Sequence, residues 1–168
     1  MDRAAPFPVP PSLDRCEALL AYEGAAREVV AQLKYRNVRS PAGWLAIGIA
    51  GLVHADEVDV VTWAPTTDLR RRRRGFDQAE LLARHVGREL SVPCRSLLAR
   101  APGPPQTGRS VVERARGPSF VPTRRLTSLR AAVVDDVVTT GATMGAAGRA
   151  LRAAGVAHLV GLAAAHPA

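Results

Sequence analysis

The sequence has few cysteines, few aromatic residues and no long apolar run. Its two cysteines, Cys16 and Cys94, lie far apart with no CxxC or Cys/His spacing beside either, so a protein-bound zinc site and a disulfide framework are unsupported. Aromatic residues make up only 4% of the chain, so the core must be aliphatic. The longest apolar stretches, such as Val156 to Ala165, are far shorter than the roughly 20 residues that cross a bilayer. No signal-peptide pattern stands at the N-terminus, so we expect a cytoplasmic protein with no membrane partner.

The positive charge of the chain comes almost entirely from arginine. The formal net charge is +8, and Lys34 is the single lysine. The guanidinium group binds phosphate through two parallel hydrogen bonds, which makes arginine well suited to phosphate contact. The composition therefore favours a polyanionic partner, but it does not choose between pyrophosphate and nucleic acid.

The length and composition are those of one soluble domain. The chain has 168 residues, of which 47% are hydrophobic and 23% charged. Residues 1–12 are rich in proline and are predicted to be a disordered or extended leader. We therefore predict one domain over residues 13–168.

Hydrophobic periodicity predicts alternating strands and helices. Apolar residues at helical spacing predict two packed helices between Leu13 and Val53. Strands are then predicted at Val58 to Ala64, Val92 to Leu98, Leu129 to Val134 and Val156 to Ala163, and helices at Phe76 to Leu90 and Thr143 to Ala154. This alternation predicts a parallel α/β sheet. Ala101 to Pro118 contains four prolines and three glycines, and a loop of that length in a compact domain is often a lid.

The most informative segment runs from Val133 to Thr143. An apolar strand leads into two adjacent carboxylates, Asp135 and Asp136, and then into a loop of hydroxyls and glycine, Thr139 to Thr143, before a helix. A helix N-terminus preceded by such a loop offers free N–H groups to a phosphate. The carboxylates would repel that phosphate, so they suit the vicinal hydroxyls of a sugar or a bound Mg²⁺. The alternative is an ordinary strand end and helix cap, which does not account for the whole ordered string.

Val133 to Thr143 resembles the 5-phosphoribosyl 1-pyrophosphate (PRPP) motif of type I phosphoribosyltransferases. Other motifs are similar to those of the ComF family of competence-associated proteins, which carry this domain. They are Tyr22-Glu23-Gly24, Leu33-Lys34-Tyr35-Arg36, Arg74-Gly75-Phe76-Asp77-Gln78-Ala79-Glu80-Leu81-Leu82-Ala83 and Pro105-Gln106-Thr107-Gly108. The resemblance covers the chain from about Tyr22 to the C-terminus, with its motifs in the expected order.

The resemblance implies a fold, a substrate and roles for particular residues. The fold would be a Rossmann-like parallel sheet flanked by helices, with an N-terminal helical segment and a flexible lid loop. The substrate would be PRPP, and Mg²⁺ the cofactor. Asp135 and Asp136 would bind the ribose and Mg²⁺. The 5′-phosphate would be held by Thr139, Thr140, Gly141, Ala142 and Thr143, the pyrophosphate by Thr66, Thr67, Arg70 and Arg74, and the lid would contain Gln106, Thr107 and Gly108.

The chain departs from the family pattern at several places, among them a shortened stretch from Arg109 to Phe120 that lacks the common asparagine. Cys16 alone cannot make the cysteine-rich zinc module with which full-length members usually begin, so we expect that module to be absent. Asp77 stands where the family commonly has asparagine, and Arg109 stands where it usually has leucine.

Two functions from different classes remain open. The first is Mg²⁺-dependent transfer of a pentosyl group from PRPP to an unknown acceptor, linked to DNA uptake. Transferases acting on nucleobases commonly carry an acid at the position of Thr139, so purine salvage is disfavoured and an amine acceptor stays open. The second is a non-catalytic adaptor that binds nucleic acid, with the Arg70 to Arg74 run along the backbone of single-stranded DNA. A charge run of this kind is also common on a solvated face.

Overall fold

The computed structural model describes residues 1–33, 40–101 and 118–167. Its strands are β1 (Arg15–Ala21), β2 (Val60–Trp63), β3 (Leu98–Arg100), β4 (Phe120–Pro122), β5 (Arg130–Val137) and β6 (His158–His166). Its helices in these ranges are α1 (Gly24–Gln32), α2 (Ser40–Ala50), α3 (Asp68–Arg74), α4 (Gln78–Glu89) and α5 (Ala142–Ala153).

The main sheet has four strands in the order β1-β6-β5-β2, and every neighbouring pair is parallel. The central strand β6 is buried from Leu159 to Ala165, and its neighbour β5 is fully buried from Ala131 to Val134. Strands covered on both faces need apolar side chains in both directions, which is why these segments are apolar runs and not alternating patterns. The predicted parallel α/β sheet is confirmed.

Each face of the sheet has its own apolar layer. Helices α1, α2 and α4 cover one face, with Leu45, Leu82 and Val86 among the fully buried side chains. Helix α5 covers the other face together with a small antiparallel sheet of β3 and β4. The predicted helices at Phe76 to Leu90 and Thr143 to Ala154 correspond to α4 and α5 and are confirmed.

Strand β1 was not predicted. Two helices do lie between Leu13 and Val53, but the residues before them form an edge strand parallel to β6. Cys16, Ala18 and Leu20 are buried at alternate positions, which is a strand period, and the neighbouring apolar Leu19 hides this alternation in the sequence. The two predicted helices correspond to α1 and α2, and the prediction did not include the strand that precedes them.

The predicted strand from Val92 to Leu98 is also wrong in its bounds and its sheet. Only Cys94 pairs with the main sheet, through one isolated bridge to Val61. Pro93 contributes a carbonyl to Val61 N–H at 2.9 Å but has no N–H to continue a ladder. The strand proper, β3, begins at Leu98 and pairs with β4 on the α5 side.

The leader at residues 1–12 runs extended along the edge of β1. Arg3 forms an antiparallel bridge with Leu20, and Ala21 N–H donates to the carbonyl of Asp2 at 2.9 Å. The backbone of the leader is thus paired with the edge strand at these residues. No helix within the described ranges is long and apolar enough to span a membrane.

Candidate functional site

The register of the sheet brings two segments together at the carboxyl end of its parallel strands. Trp63 at the end of β2 pairs with Val134 of β5, and Ala64 N–H donates to the Val134 carbonyl at 3.2 Å. The turn after β2 therefore lies beside the carboxylate pair of β5. Ligands of open parallel sheets bind beyond this edge.

Asp135 and Asp136 lie among the last residues of β5. Asp135 Oδ1 accepts from the amide of Asp136 at 2.8 Å, and Asp136 Oδ1 accepts from the amide of Val137 at 2.8 Å. Burial raises the pKa of Asp135 well above its ordinary value, and the nearby negative charges of Asp136 and Asp77 raise it further. Two carboxylates held this close in a poorly solvated place favour any ligand that supplies hydroxyl donors or a cation.

The loop from Thr139 to Thr143 turns β5 into α5. Gly141 is the N-cap of α5 with φ +71°, a left-handed conformation that glycine adopts without strain. The amides of Thr140, Gly141 and Thr143 find no acceptor among the residues that the structure describes, and Ala142 N–H has only a long contact of 3.4 Å to Thr140 Oγ1. The residues of this loop line a cavity of about 30 Å³, and Asp135 is also part of its lining. The arrangement suits an anion at the positive end of the helix.

The turn after β2 carries the threonines predicted to hold pyrophosphate. Thr67 Oγ1 caps the short helix α3 by accepting from Arg70 N–H at 3.3 Å. Thr66 N–H donates to Asp77 Oδ2 at 2.8 Å. Both threonines are partly exposed, and they lie at the same sheet edge as the carboxylate pair.

The arginine run lies on α3, a helix that the sequence did not predict. Arg70 to Arg73 are exposed and Arg74 is partly exposed. None of the five forms an ion pair within the described part of the chain. Gly75 ends the helix in the left-handed conformation, φ +78°. The structure thus presents a surface of exposed arginines next to the turn at Thr66.

The leader reaches the loop from Thr139 to Thr143, which the sequence reasoning missed. An added methyl group at Gly141 would come within 3.0 Å of Pro10 Cγ, and the hydroxyl of Ser12 donates to the carbonyl of Gly145 at 2.9 Å. Phe7 stacks on His166 with ring centroids 4.0 Å apart, and His166 Nδ1 lies 2.8 Å from the Val138 carbonyl. The proline-rich composition signalled an extended chain, but no local pattern could show where it would pack.

The donor set fits Mg²⁺ only in combination with ligand oxygens. No cluster of three or more His, Cys, Asp or Glu side chains suited to a metal occurs in the described ranges. Mg²⁺ commonly binds through one or two carboxylates together with substrate phosphates and water. Asp135 and Asp136 are the two carboxylates that could bind Mg²⁺ in this way. The predicted lid residues, Gln106, Thr107 and Gly108, lie outside the described residues.

The fold is that of the type I phosphoribosyltransferases, as the sequence predicted. The chain is similar to a solved structure of the allosteric regulatory enzyme of purine biosynthesis, with a TM-score of 0.53 and 19% identity, over 80% of this chain and 30% of that one. A purine phosphoribosyltransferase from Pyrococcus horikoshii Ot3 gives a TM-score of 0.45 at 17% identity, over 71% of this chain and 69% of that chain. No family model matches the chain.

Among curated proteins, the chain is similar to competence protein F of Haemophilus influenzae. The two are 29% identical over 121 residues, which is 67% of this chain and 53% of the relative. The chain thus spans about half the length of the curated relative that it matches. The resemblance to the ComF proteins, which the motifs indicated, is confirmed at this level of similarity.

Proposed function

We propose that this protein binds PRPP together with Mg²⁺ and transfers its phosphoribosyl group to an acceptor. The observation that carries the proposal is the meeting of two carboxylates, Asp135 and Asp136, with the available amides of the loop from Thr139 to Thr143 at one end of a parallel sheet. The carboxylates suit the ribose hydroxyls, and the loop suits the 5′-phosphate. A helix cap alone would not need the half-buried carboxylate pair beside it.

The turn after β2 would bind the leaving group, which is pyrophosphate. In the transfer, the bond from ribose C1 to a pyrophosphate oxygen breaks while the acceptor bonds to C1, and negative charge develops on the departing pyrophosphate. Thr66, Thr67, Arg70 and Arg74 lie at or next to the turn that adjoins the carboxylates, and Mg²⁺ would neutralise part of the charge. Positioning and electrostatic stabilisation supply most of the catalysis in such a site.

The proposed acceptor is an amine and not a nucleobase. Thr139 is exposed at the start of the phosphate loop, where transferases acting on nucleobases commonly carry an acid. A threonine hydroxyl does not act as a general base near neutral pH. Release of pyrophosphate from PRPP with ammonia or small amines, and none with free purines, is the expected result of an acceptor screen.

Thermal unfolding with PRPP and Mg²⁺ tests the proposal. A ligand at 100 times its dissociation constant stabilises the fold by about 2.7 kcal/mol, which corresponds to a rise in Tm of about 5–10 °C for a chain of this size. The double variant Asp135→Asn with Asp136→Asn should lose this rise. The matched control is Asp59→Asn, whose carboxylate pairs with Arg130 at the opposite end of β5 and which should keep the full response.

Two outcomes would contradict the proposal. The first is a wild-type protein whose Tm does not respond to PRPP with Mg²⁺ at millimolar concentration. The second is a double Asp variant with native circular dichroism that binds PRPP as tightly as the wild type does, because the ribose would then lie elsewhere.

A second proposed function is backbone contact with single-stranded DNA through α3, in a role connected with DNA uptake. The exposed arginines of α3 support it, because none of them forms an ion pair within the described ranges and their charge is available to phosphates. The similarity to a competence protein supports the biological setting. Helix α3 itself carries no aromatic side chain on which a base could stack, so binding would be through phosphates and independent of sequence.

A further inference from the structure

Asp77 uses both of its carboxylate oxygens on backbone amides from two different segments. Its Oδ1 caps α4 by accepting from Ala79 N–H at 3.0 Å, with Glu80 N–H at 3.5 Å. Its Oδ2 accepts from Thr66 N–H at 2.8 Å, eleven residues earlier in the chain. The residue is only 5% exposed. A charged side chain this well buried is rare unless its oxygens are fully hydrogen-bonded.

Helix capping explains only half of this arrangement. A cap needs one side-chain oxygen, and asparagine or serine would serve equally well. The second oxygen spans from α4 to the turn after β2. That turn is also held by Ala64 N–H on the Val134 carbonyl at 3.2 Å and by Arg100 Nη1 on the Pro65 carbonyl at 3.2 Å. Within the described ranges, Thr66 N–H has Asp77 as its acceptor, so the carboxylate sets where the turn points.

We propose that Asp77 is a positioning residue that fixes the turn at Thr66 and Thr67 on the N-terminus of α4, so that the turn and the arginines of α3 face a pyrophosphate group. The ligand in this statement rests on the proposed function. Asp77 does not itself contact the ligand, since a carboxylate would repel pyrophosphate and its oxygens already accept from backbone amides.

The short chain path between the two contacts makes the coupling direct. Thr67 caps α3, Gly75 ends α3, and Asp77 caps α4 two residues later. The Asp77 to Thr66 hydrogen bond therefore closes a loop that contains the whole of α3. Opening that bond would leave the arginine helix attached to the domain at its ends without this cross-link.

Asp77→Asn is the discriminating variant. The asparagine keeps an oxygen for the α4 cap but presents an NH₂ group to Thr66 N–H, so that two donors face each other. Calorimetry should show PRPP binding weakened by about tenfold or more, because a buried amide loses its acceptor. Binding of ribose 5-phosphate, which has no pyrophosphate, should change by less than about twofold. Asp77→Ser, which can cap but cannot reach Thr66, should give the same selective loss and serves if the asparagine variant does not fold.

Arg88→Gly is the matched control. Arg88 is exposed on α4, and glycine there weakens the helix without touching Asp77 or the turn. This variant should bind PRPP and ribose 5-phosphate as the wild type does. An Asp77→Asn protein that bound PRPP as tightly as the wild type would overturn the proposal. Equal losses for both ligands in Asp77→Asn, or a PRPP-selective loss in Arg88→Gly, would also overturn it.

Amide exchange separates this inference from the proposed function. The Thr66 amide should exchange slowly in the wild type and much faster in Asp77→Asn, while the Ala79 amide keeps its protection. If the wild type binds neither ligand, the proposed function fails, and the exchange result alone decides whether Asp77 fixes the turn. Unchanged Thr66 protection in the variant would then overturn the inference.

Discussion

Asp135→Asn should stabilise the protein while it weakens PRPP binding. The Asp135 carboxyl is buried and close to two other carboxylates, so ionising it in the folded state is unfavourable and its pKa is raised well above the ordinary value. Asparagine has the same shape and can keep the hydrogen bond from Asp136 N–H, which is 2.8 Å long. The variant therefore removes the cost of the buried charge without leaving a cavity. Residues in binding sites often trade stability for function in this way.

The sign of the effect and its pH dependence follow from proton linkage. The folded-state pKa lies above the unfolded value of about 3.9, so the wild type loses stability as pH rises from about 4 through the folded pKa and then stays level. Single stabilising substitutions commonly add about 0.5–2 kcal/mol. We expect Asp135→Asn to gain on the order of 1 kcal/mol at pH 7.5, or about 2–4 °C in Tm, and close to nothing near pH 4.

Thermal unfolding at intervals between pH 4 and pH 8 measures this difference. Asp59→Asn is a control whose stability should change in the opposite direction, because the hydrogen bond from Arg130 lowers the pKa of Asp59 to about 2. The stability that this pair contributes is present above about pH 4 and fades as pH falls toward 2, so the control should be less stable than the wild type at neutral pH. An Asp135→Asn protein that is no more stable than the wild type at pH 7.5, or whose gain is the same at every pH, would refute the reasoning.

Two further variants test the loop and the arginine helix. Gly141→Val should lose about 1–3 kcal/mol of stability and all measurable PRPP binding even with excess Mg²⁺, because a branched residue is strained at φ +71° and its Cβ would meet Pro10. A folded variant that binds PRPP with wild-type affinity in calorimetry would place the phosphate elsewhere. Replacing Arg71, Arg72 and Arg73 with alanine should make the slope of log affinity against log salt concentration for single-stranded DNA less steep, by about 0.7 for each phosphate that the variant no longer neutralises. An unchanged slope would identify the arginine run as a solvated face.

The core of the candidate site could be predicted from the sequence because it is local. Strand β5, the carboxylates at its end, the glycine loop and α5 follow one another between Arg130 and Ala153, so their types and order are visible in one segment. Apolar periodicity sets the strand and the helix, and Gly141 marks the left-handed turn between them. The assignment of these residues to ribose and phosphate stays a prediction that the binding experiments will decide.

The sequence reasoning failed where a residue's role depends on a distant partner. Edge strand β1 was missed because its alternation is weak and its identity comes from pairing with β6, which lies near the other end of the chain. The contact of the leader with the loop from Thr139 to Thr143 has the same origin, since Pro10 meets Gly141 only in the folded chain. Asp77 differs from the family pattern in the sequence, but its Oδ2 can accept from Thr66 N–H only because β2 ends beside α4.

Local sequence by itself determined the alternation of strands and helices, the aliphatic core and the strand, loop and helix that carry Asp135 to Thr143, because short-range periodicity and backbone preferences encode such elements. Only the tertiary structure decided the strand order, the approach of the turn at Thr66 to the carboxylates, and the raised pKa of Asp135. These properties arise from burial and from contacts between segments distant in the chain, and such contacts are fixed by the packing of the whole sheet.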